Sequence, residues 1–354
     1  MAKSYNQIGA LRELLDILDQ EGINDFTTLE EIRSFRFNFK KLLEDIKSKN
    51  KELLSQNISD LESEYKELSE ELNEKIKIRE VLLKKEREEI VPKIAELENK
   101  RNKLMIPIYW IKRKYWIRKK YILETKFDEQ VKKPFKSKIH KSELLKNEID
   151  DKKSNTDKWI DIFSKEEVDR ANFVLSAIDD NKNMFYGAEG EERALNELLK
   201  LPDTYSVIND YRKKFKRPLH DKRSDDWIYS VQIDHVVVGP TGVYIIETKN
   251  WSQNSVESRD LFSPVKQLKR TSYAMFILLN NLINNRGLIS FGRNWGDQQV
   301  SPKNFILLMG HKPVETYQFV KIVTIPEINS HLTYGDKIFS EKEVEELVEY
   351  LTDN

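Results

Sequence analysis

The chain has 354 residues, in which 60 Lys and Arg balance 60 Asp and Glu, so net charge singles out no partner. It has no cysteine, which excludes disulfides, thiolate nucleophiles and Cys-ligated zinc and suits a reducing compartment. The first twenty residues have no signal-peptide core. The longest apolar runs, at 274–279 and 305–309, fall short of the ~20 residues a membrane span needs, so a cytoplasmic protein with no membrane contact is expected.

In chain order, residues 4–20 read as an amphipathic helix, with Leu11, Leu14, Leu15 and Leu18 at helical spacing and Gly22 ending it. Thr28-Leu-Glu-Glu31 is a capping box opening a second helix. From Phe39 to Leu104 the chain is rich in Glu, Lys and Leu. Leu54, Ile58, Leu61, Tyr65, Leu68 and Leu72 alternate steps of four and three, as in a coiled-coil seam. After a slip at Ile76 the seam resumes through Leu83, Ile90, Ile94 and Leu97, and Pro92 is expected to kink the helix or open a new one. Two pairings satisfy such a seam: between chains, or as an antiparallel fold-back.

Residues 109–123 alternate three apolar with three basic residues, a period of six that gives no single dry helical face. Over 110–141 twelve Lys and Arg stand against three Asp and Glu. Three readings fit: packing against the coiled coil with the cations outward, nucleic-acid contact, or a membrane surface. Residues 147–156 read as a polar linker, and Ser164 reads as the cap of a helix reaching Ile178. A helix at 188–200 follows, then strands at 206–210, 228–238 and 243–249, a helix near 264–282, strands at 304–310 and 321–325, and a closing helix at 341–352. The expected fold is a long helical coiled-coil N-terminal half followed by a mixed α/β sheet domain with flanking helices. Its divisions are 1–38, 39–146, 147–183 and 184–354.

The chemistry concentrates in 231–251. The turn Gly239-Pro-Thr-Gly242 makes the flanking strands an antiparallel hairpin. Asp234 shares a face with Val236 and Val238 on the first strand, and Glu247 shares one with Lys249 on the second. Charges on such apolar strands are costly to bury without a partner. Two carboxylates and an ammonium converging on one point suit a hard divalent cation, which lowers the pKa of a bound water and neutralises charge on a phosphate. The pattern D-x(12)-E-x-K resembles the PD-(D/E)xK (restriction-endonuclease-like) phosphodiesterase superfamily. The pieces at 187–199, 233–251 and 263–270 resemble its nuclease-related-domain (NERD) branch, across roughly residues 184 to 325.

The resemblance implies that Asp234 and Glu247 bind Mg²⁺ or Mn²⁺, with the backbone carbonyl of Thr248 a further ligand. Lys249 is then the catalytic lysine, Glu191 completes or orders the metal shell, and Gln267 lies near the site. Glu192 is an alternative to Glu191. Ile233 stands where the superfamily name has Pro, and Ser263 where the branch usually has Asn. Taken singly, Asp234 with Lys249 could be a cross-strand ion pair, Glu191 a first-turn helix acid and Gln267 a surface amide; the metal-site reading rests on all five occurring in order. His235 and Trp251 read as packing residues, and no histidine pair has zinc-ligand spacing. The basic run 211–218, continuing to Lys222 and Arg223, reads as a solvated loop or a DNA-backbone contact.

The function so implied is that of a metal-dependent DNA endonuclease, plausible in defence against phage. The coiled coil would make a homo-oligomer or regulate access, with or without a partner protein. The alternatives are a non-catalytic nucleic-acid-binding or scaffold protein and an RNA-directed nuclease.

Overall fold

The computed structural model describes residues 1–99, 106–250, 262–286, 299–310 and 317–353. They fall into two compact units: Phe39–Ala171, and a second formed by Met1–Asn38 with Asn172–Asn354.

The first unit contains most of α2 (Leu29–Asn99), then α3 (Ile106–Thr125), α4 (Phe127–Lys132), α5 (Lys136–Ser154) and the start of α6 (Thr156–Asp180). Along α2 the seam faces inward: Leu54, Leu72, Leu83 and Ile90 are buried and Ile58, Leu61, Tyr65 and Leu68 half-buried. The partner is the returning chain. Lys138 pairs with Glu71 at 2.6 Å, Lys141 with Glu64 at 2.8 Å and Lys153 with Glu62; later residues meet earlier ones, as an antiparallel fold-back requires. Each exposed ion pair contributes little energy, but together they fix direction. The helix continues through Pro92 rather than stopping there.

α3 packs against the coiled coil along part of its surface. Trp116 and Leu123 pack with Leu83, Ile90 and Val131, while Trp110, Tyr115 and Tyr121 are exposed. The segment read as a linker is helical. Residues 147–154 are the last turns of α5, and Asn155 is the only break before α6. Ser164 accordingly lies inside α6, donating from Oγ to the Ile160 carbonyl at 2.6 Å rather than capping a helix.

In the second unit, the helix expected over 4–20 begins only at Gly9. Residues Lys3–Tyr5 form β1, a short edge strand parallel to β2, and α1 runs Gly9–Gln20. Leu11, Leu14 and Leu18 of α1 pack on Phe185 and Ala188 of α7 (Lys182–Leu198) and on Ile178. Thr28 and Glu31 form the expected reciprocal cap of α2.

The sheet has the order β1-β2-β3-β4-β5-β6, with β2 (Ser206–Asp221), β3 (Asp226–Gly239), β4 (Gly242–Lys249), β5 (Lys303–Leu308) and β6 (Lys321–Thr324). β2, β3 and β4 are antiparallel neighbours, and β4, β5 and β6 run parallel. One sheet face carries Val236, Val238, Val243, Ile245 and Ile306 against α8 (Phe262–Arg286) and α10 (Glu341–Thr352). The other carries Val207, Val237, Tyr244, Ile246 and Leu307 against α7 and α9 (Ile325–Thr333). Gly239 ends β3 where any side chain would collide with the Tyr205 ring, a Cβ there lying 2.1 Å from it. The basic run 211–218 is strand rather than loop, since β2 continues through it to Asp221 opposite β3.

The register between β2 and β3 shifts between Lys214 and Leu219, and nearer the acids the alternation along both strands breaks as well. Ile208 and Tyr211 on β2, and Ile233 and Val236 on β3, all join the same core although three residues separate the members of each pair. The ladder pairs Asn209 with His235 and Tyr211 with Ile233, leaving Asp210 and Asp234 between them. Asp210 takes the left-handed conformation, φ 44°, which Asp tolerates better than most residues. Asp234 is therefore not simply in line with Val236 and Val238, as regular alternation would have it. It sits at a kink, the kind of irregularity that re-aims a side chain.

Candidate active site

β4 runs antiparallel to β3, with His235 opposite Ile246 as the last paired step, so Asp234 and Glu247 follow as neighbours across the two strands. Asp234 Oδ2 accepts from the Thr248 amide at 2.7 Å and from the Thr248 hydroxyl at 2.8 Å. Glu247 is buried, and its Oε1 accepts from Lys249 Nζ at 2.7 Å. Among the described residues, Asp234 Oδ1 and Glu247 Oε2 have no hydrogen-bond partner.

Glu191 comes from α7 and is buried, 7 % exposed. Its Oε2 accepts from the Ala10 amide at 3.2 Å, so the first turn of α1 caps this acid. Glu192, one residue on, turns away and meets Arg33 Nη2 at 2.9 Å. Glu191 is thus the inward acid of the pair.

Burial, followed by the charge of Asp234, pushes Glu191 up to about 8. The same two causes in the same order push Glu247 up to about 7, against the opposing pull of Lys249. For Lys249, burial favours loss of the proton, but Glu247, Asp234 and Glu191 together outweigh it and hold the ammonium charged. Half-buried Lys249 is thus bonded to Glu247 and lies in the negative field of Asp234 and Glu191 as well.

His235 packs at the centre of the sheet, fully buried, with Nδ1 2.8 Å from Asn209 Oδ1. Burial lowers it to about 4, so it is neutral, and its Nε2 has no partner among the described residues. Gln267 lies on α8 and is exposed. It is not brought to the acids by any described hydrogen bond. Trp251 lies outside the described residues, and Ser263 is described only as a residue of α8.

Sequence reasoning missed a fourth acid. Asp210, at the kink, is 3 % exposed and adds to the negative field on Glu191. Unlike the other three it is well supplied with cations: Arg12 of α1 at 2.5 Å and Arg212 at 2.9 Å, with Gln232 donating at 3.1 Å. Gly9 is required beside it, because a Cβ there would lie 2.8 Å from Asp210 Oδ1. The acid closing the apolar strand 206–210 was visible, but nothing in sequence linked it to Gly9 and Arg12, some 200 positions earlier.

Whether a divalent cation fits can be judged from these donors. All are hard oxygens, two carboxylates are pushed towards holding protons, and two oxygens have no described partner, which is the deficit a cation would fill. Among the described residues no three His, Asp or Glu side chains are gathered closely enough to hold an ion as they stand. One oxygen of each acid is instead tied to Ala10, Thr248 or Lys249.

The fold and this cluster define a mixed-sheet domain with buried acids at a strand kink. Residues 186–291 match the family model described as nuclease-related domain, so the chain carries a nuclease-related domain over that stretch. The match takes in Glu191, Asp234, Glu247, Lys249 and Gln267. No curated protein and no solved structure matches the chain.

Proposed function

We propose that the chain is a Mg²⁺- or Mn²⁺-dependent endonuclease that hydrolyses phosphodiester bonds in DNA. The observation that carries this reading is the β3–β4 hairpin, which sets Asp234 beside Glu247 and brings Lys249 Nζ to 2.7 Å from Glu247. A divalent ion held by these oxygens would lower the pKa of a bound water, supplying hydroxide for attack on phosphorus. Asp234 and Glu247 would hold that ion, with the Thr248 carbonyl as a further ligand and Glu191 completing or ordering the shell. Thr248 keeps Asp234 aimed across the strands through its amide and hydroxyl. Lys249, held charged, would orient the attacking water and stabilise negative charge on the phosphate oxygens. The exposed amide of Gln267 would act on the bound substrate.

Defence against foreign DNA in the cytoplasm is the setting we propose, by association with restriction and repair nucleases. The α2 seam is taken up within the chain, so a dimer cutting both strands, or a partner protein, would use another surface.

The test is incubation of purified protein with plasmid, single-stranded DNA and RNA, with and without Mg²⁺ or Mn²⁺. Metal-dependent cutting of DNA that Asp234→Ala abolishes is expected. Cutting retained by Asp234→Ala would show the site misassigned, and cutting of RNA alone would move the substrate.

A further inference from the structure

The β2–β3 hairpin has one face covered and one face open. Tyr211, Ile228, Val231 and Ile233 turn towards the core shared with α8 and α10. On the opposite face α1 reaches only as far as Arg212, through Glu13. Beyond that point Lys214 and Lys216 on β2 and Trp227 and Tyr229 on β3 are exposed, the two rings 51 % and 61 %, and Arg217, also exposed, lies within the register shift that ends at Leu219. The stretch 211–223 carries seven Lys and Arg against one Asp. Lys214, Lys216 and Arg217 enter no ion pair among the described residues, so their charge is not consumed within the fold. Acids occur at the hairpin tip, where Asp226 is held by Arg270 at 2.6 Å and Asp225 by His220 at 2.8 Å.

Cations alone would suit any polyanion. Two large aromatic rings on a strand beside them are costly to leave in water, and their broad apolar faces go unused in phosphate binding. They fit a ligand that is anionic and also offers flat unsaturated faces. Bases within a duplex are already stacked on one another, so only unpaired nucleotides present those faces to protein side chains. Trp227 is braced for such a role, because His220 stacks against it with centroids 4.5 Å apart and planes 14° apart. The strip begins at Arg212, which is bonded to Asp210 in the acid cluster.

We propose that this open hairpin face is a track for unpaired nucleotides, in which Lys214, Lys216 and Arg217 hold phosphates while Trp227 and Tyr229 stack on bases. It deepens the nuclease reading by giving the substrate a single-stranded portion, and it rests on that reading only for what happens to the strand once bound.

The test is fluorescence anisotropy with labelled dT20, U20 and a blunt 20-base-pair duplex, using full-length protein in EDTA so that nothing is cut. The expected order is single strand tighter than duplex. The double variant Trp227→Ala/Tyr229→Ala should lose about tenfold or more for single strands and little for duplex, since each stacked base contributes substantially. Lys214→Ala/Lys216→Ala/Arg217→Ala should weaken both and flatten the dependence on salt. Circular dichroism and melting temperature matched to the parent protein would show that the variants fold. Equal losses for duplex and single strand in the aromatic variant, or none in either, would overturn the track. The dT20 and U20 arms separate DNA from RNA. Asp234→Asn should bind dT20 like the parent, so binding by this face can fail while metal-dependent cutting survives, or the reverse.

Discussion

Replacing Glu191 by Gln should make the metal-free protein more stable at alkaline pH. A carboxylic acid whose pKa is raised on folding keeps a proton that the unfolded chain has lost, so stability falls as pH climbs towards the folded value. With Glu191 at about 8 in the fold against 4.5 unfolded, the window is bounded above by pH 8 to 9. Starting at pH 6.5 avoids His235, whose lowered pKa of about 4 adds stability as pH rises from there to 6.5. Between pH 6.5 and 8.5 the folded Glu191 gives up most of its proton while the unfolded one has none to give. At about 1.4 kcal/mol per pKa unit this loses roughly 2 kcal/mol. For a unit of this size that corresponds to a fall in Tm of about 4–8 °C. Glu247, raised to about 7, adds a smaller loss of the same sign. The assay is differential scanning fluorimetry in EDTA from pH 6.5 to 8.5. Glu191→Gln should show a flatter profile and a higher Tm at pH 8.5, because the amide oxygen still accepts from Ala10 and carries no charge. A parent profile that is flat, or a variant less stable than the parent at pH 8.5, would refute the claim that burial and the charge of Asp234 hold the proton on Glu191.

Two further outcomes follow from packing. Gly9→Ala places a methyl 2.8 Å from Asp210 Oδ1, so the Arg12–Asp210 contact must shift; a loss of about 1–3 kcal/mol in urea melts is expected, against no change for Gly22→Asn at the exposed left-handed end of α1. Ile90→Ala, in the cluster of Leu83, Leu123 and Val131, should cost about 2–5 kcal/mol of fold-back stability without creating an oligomer, read by circular dichroism and light scattering.

Much of this was legible in the sequence for identifiable reasons. The turn at 239–242 and the apolar runs beside it specify the β3–β4 hairpin, and the hairpin alone brings Asp234 beside Glu247. The α2 seam was legible as a seam but not its partner, because a heptad pattern says which face is apolar and not what covers it. The continuation of β2 through 211–221 was hidden by Lys, Arg and Pro218, whose solvent-facing positions and pairing with β3 are set by tertiary structure. The short β1 and the capping of Glu191 by Ala10 were hidden for the same reason: both join residues far apart in the chain, such as Lys3 with Ser206 and Ala10 with Glu191.

The central claim, that the acids around Asp234 are arranged for a divalent cation, is tested most directly by isothermal titration of Mn²⁺ into the metal-free protein at pH 7.5, in two buffers of different ionisation enthalpy. Binding accompanied by proton release, and lost in Glu247→Ala, is the result predicted, since Glu191 and Glu247 must give up protons to ligate. No binding by the parent protein, or binding that Glu247→Ala leaves unchanged, would contradict it.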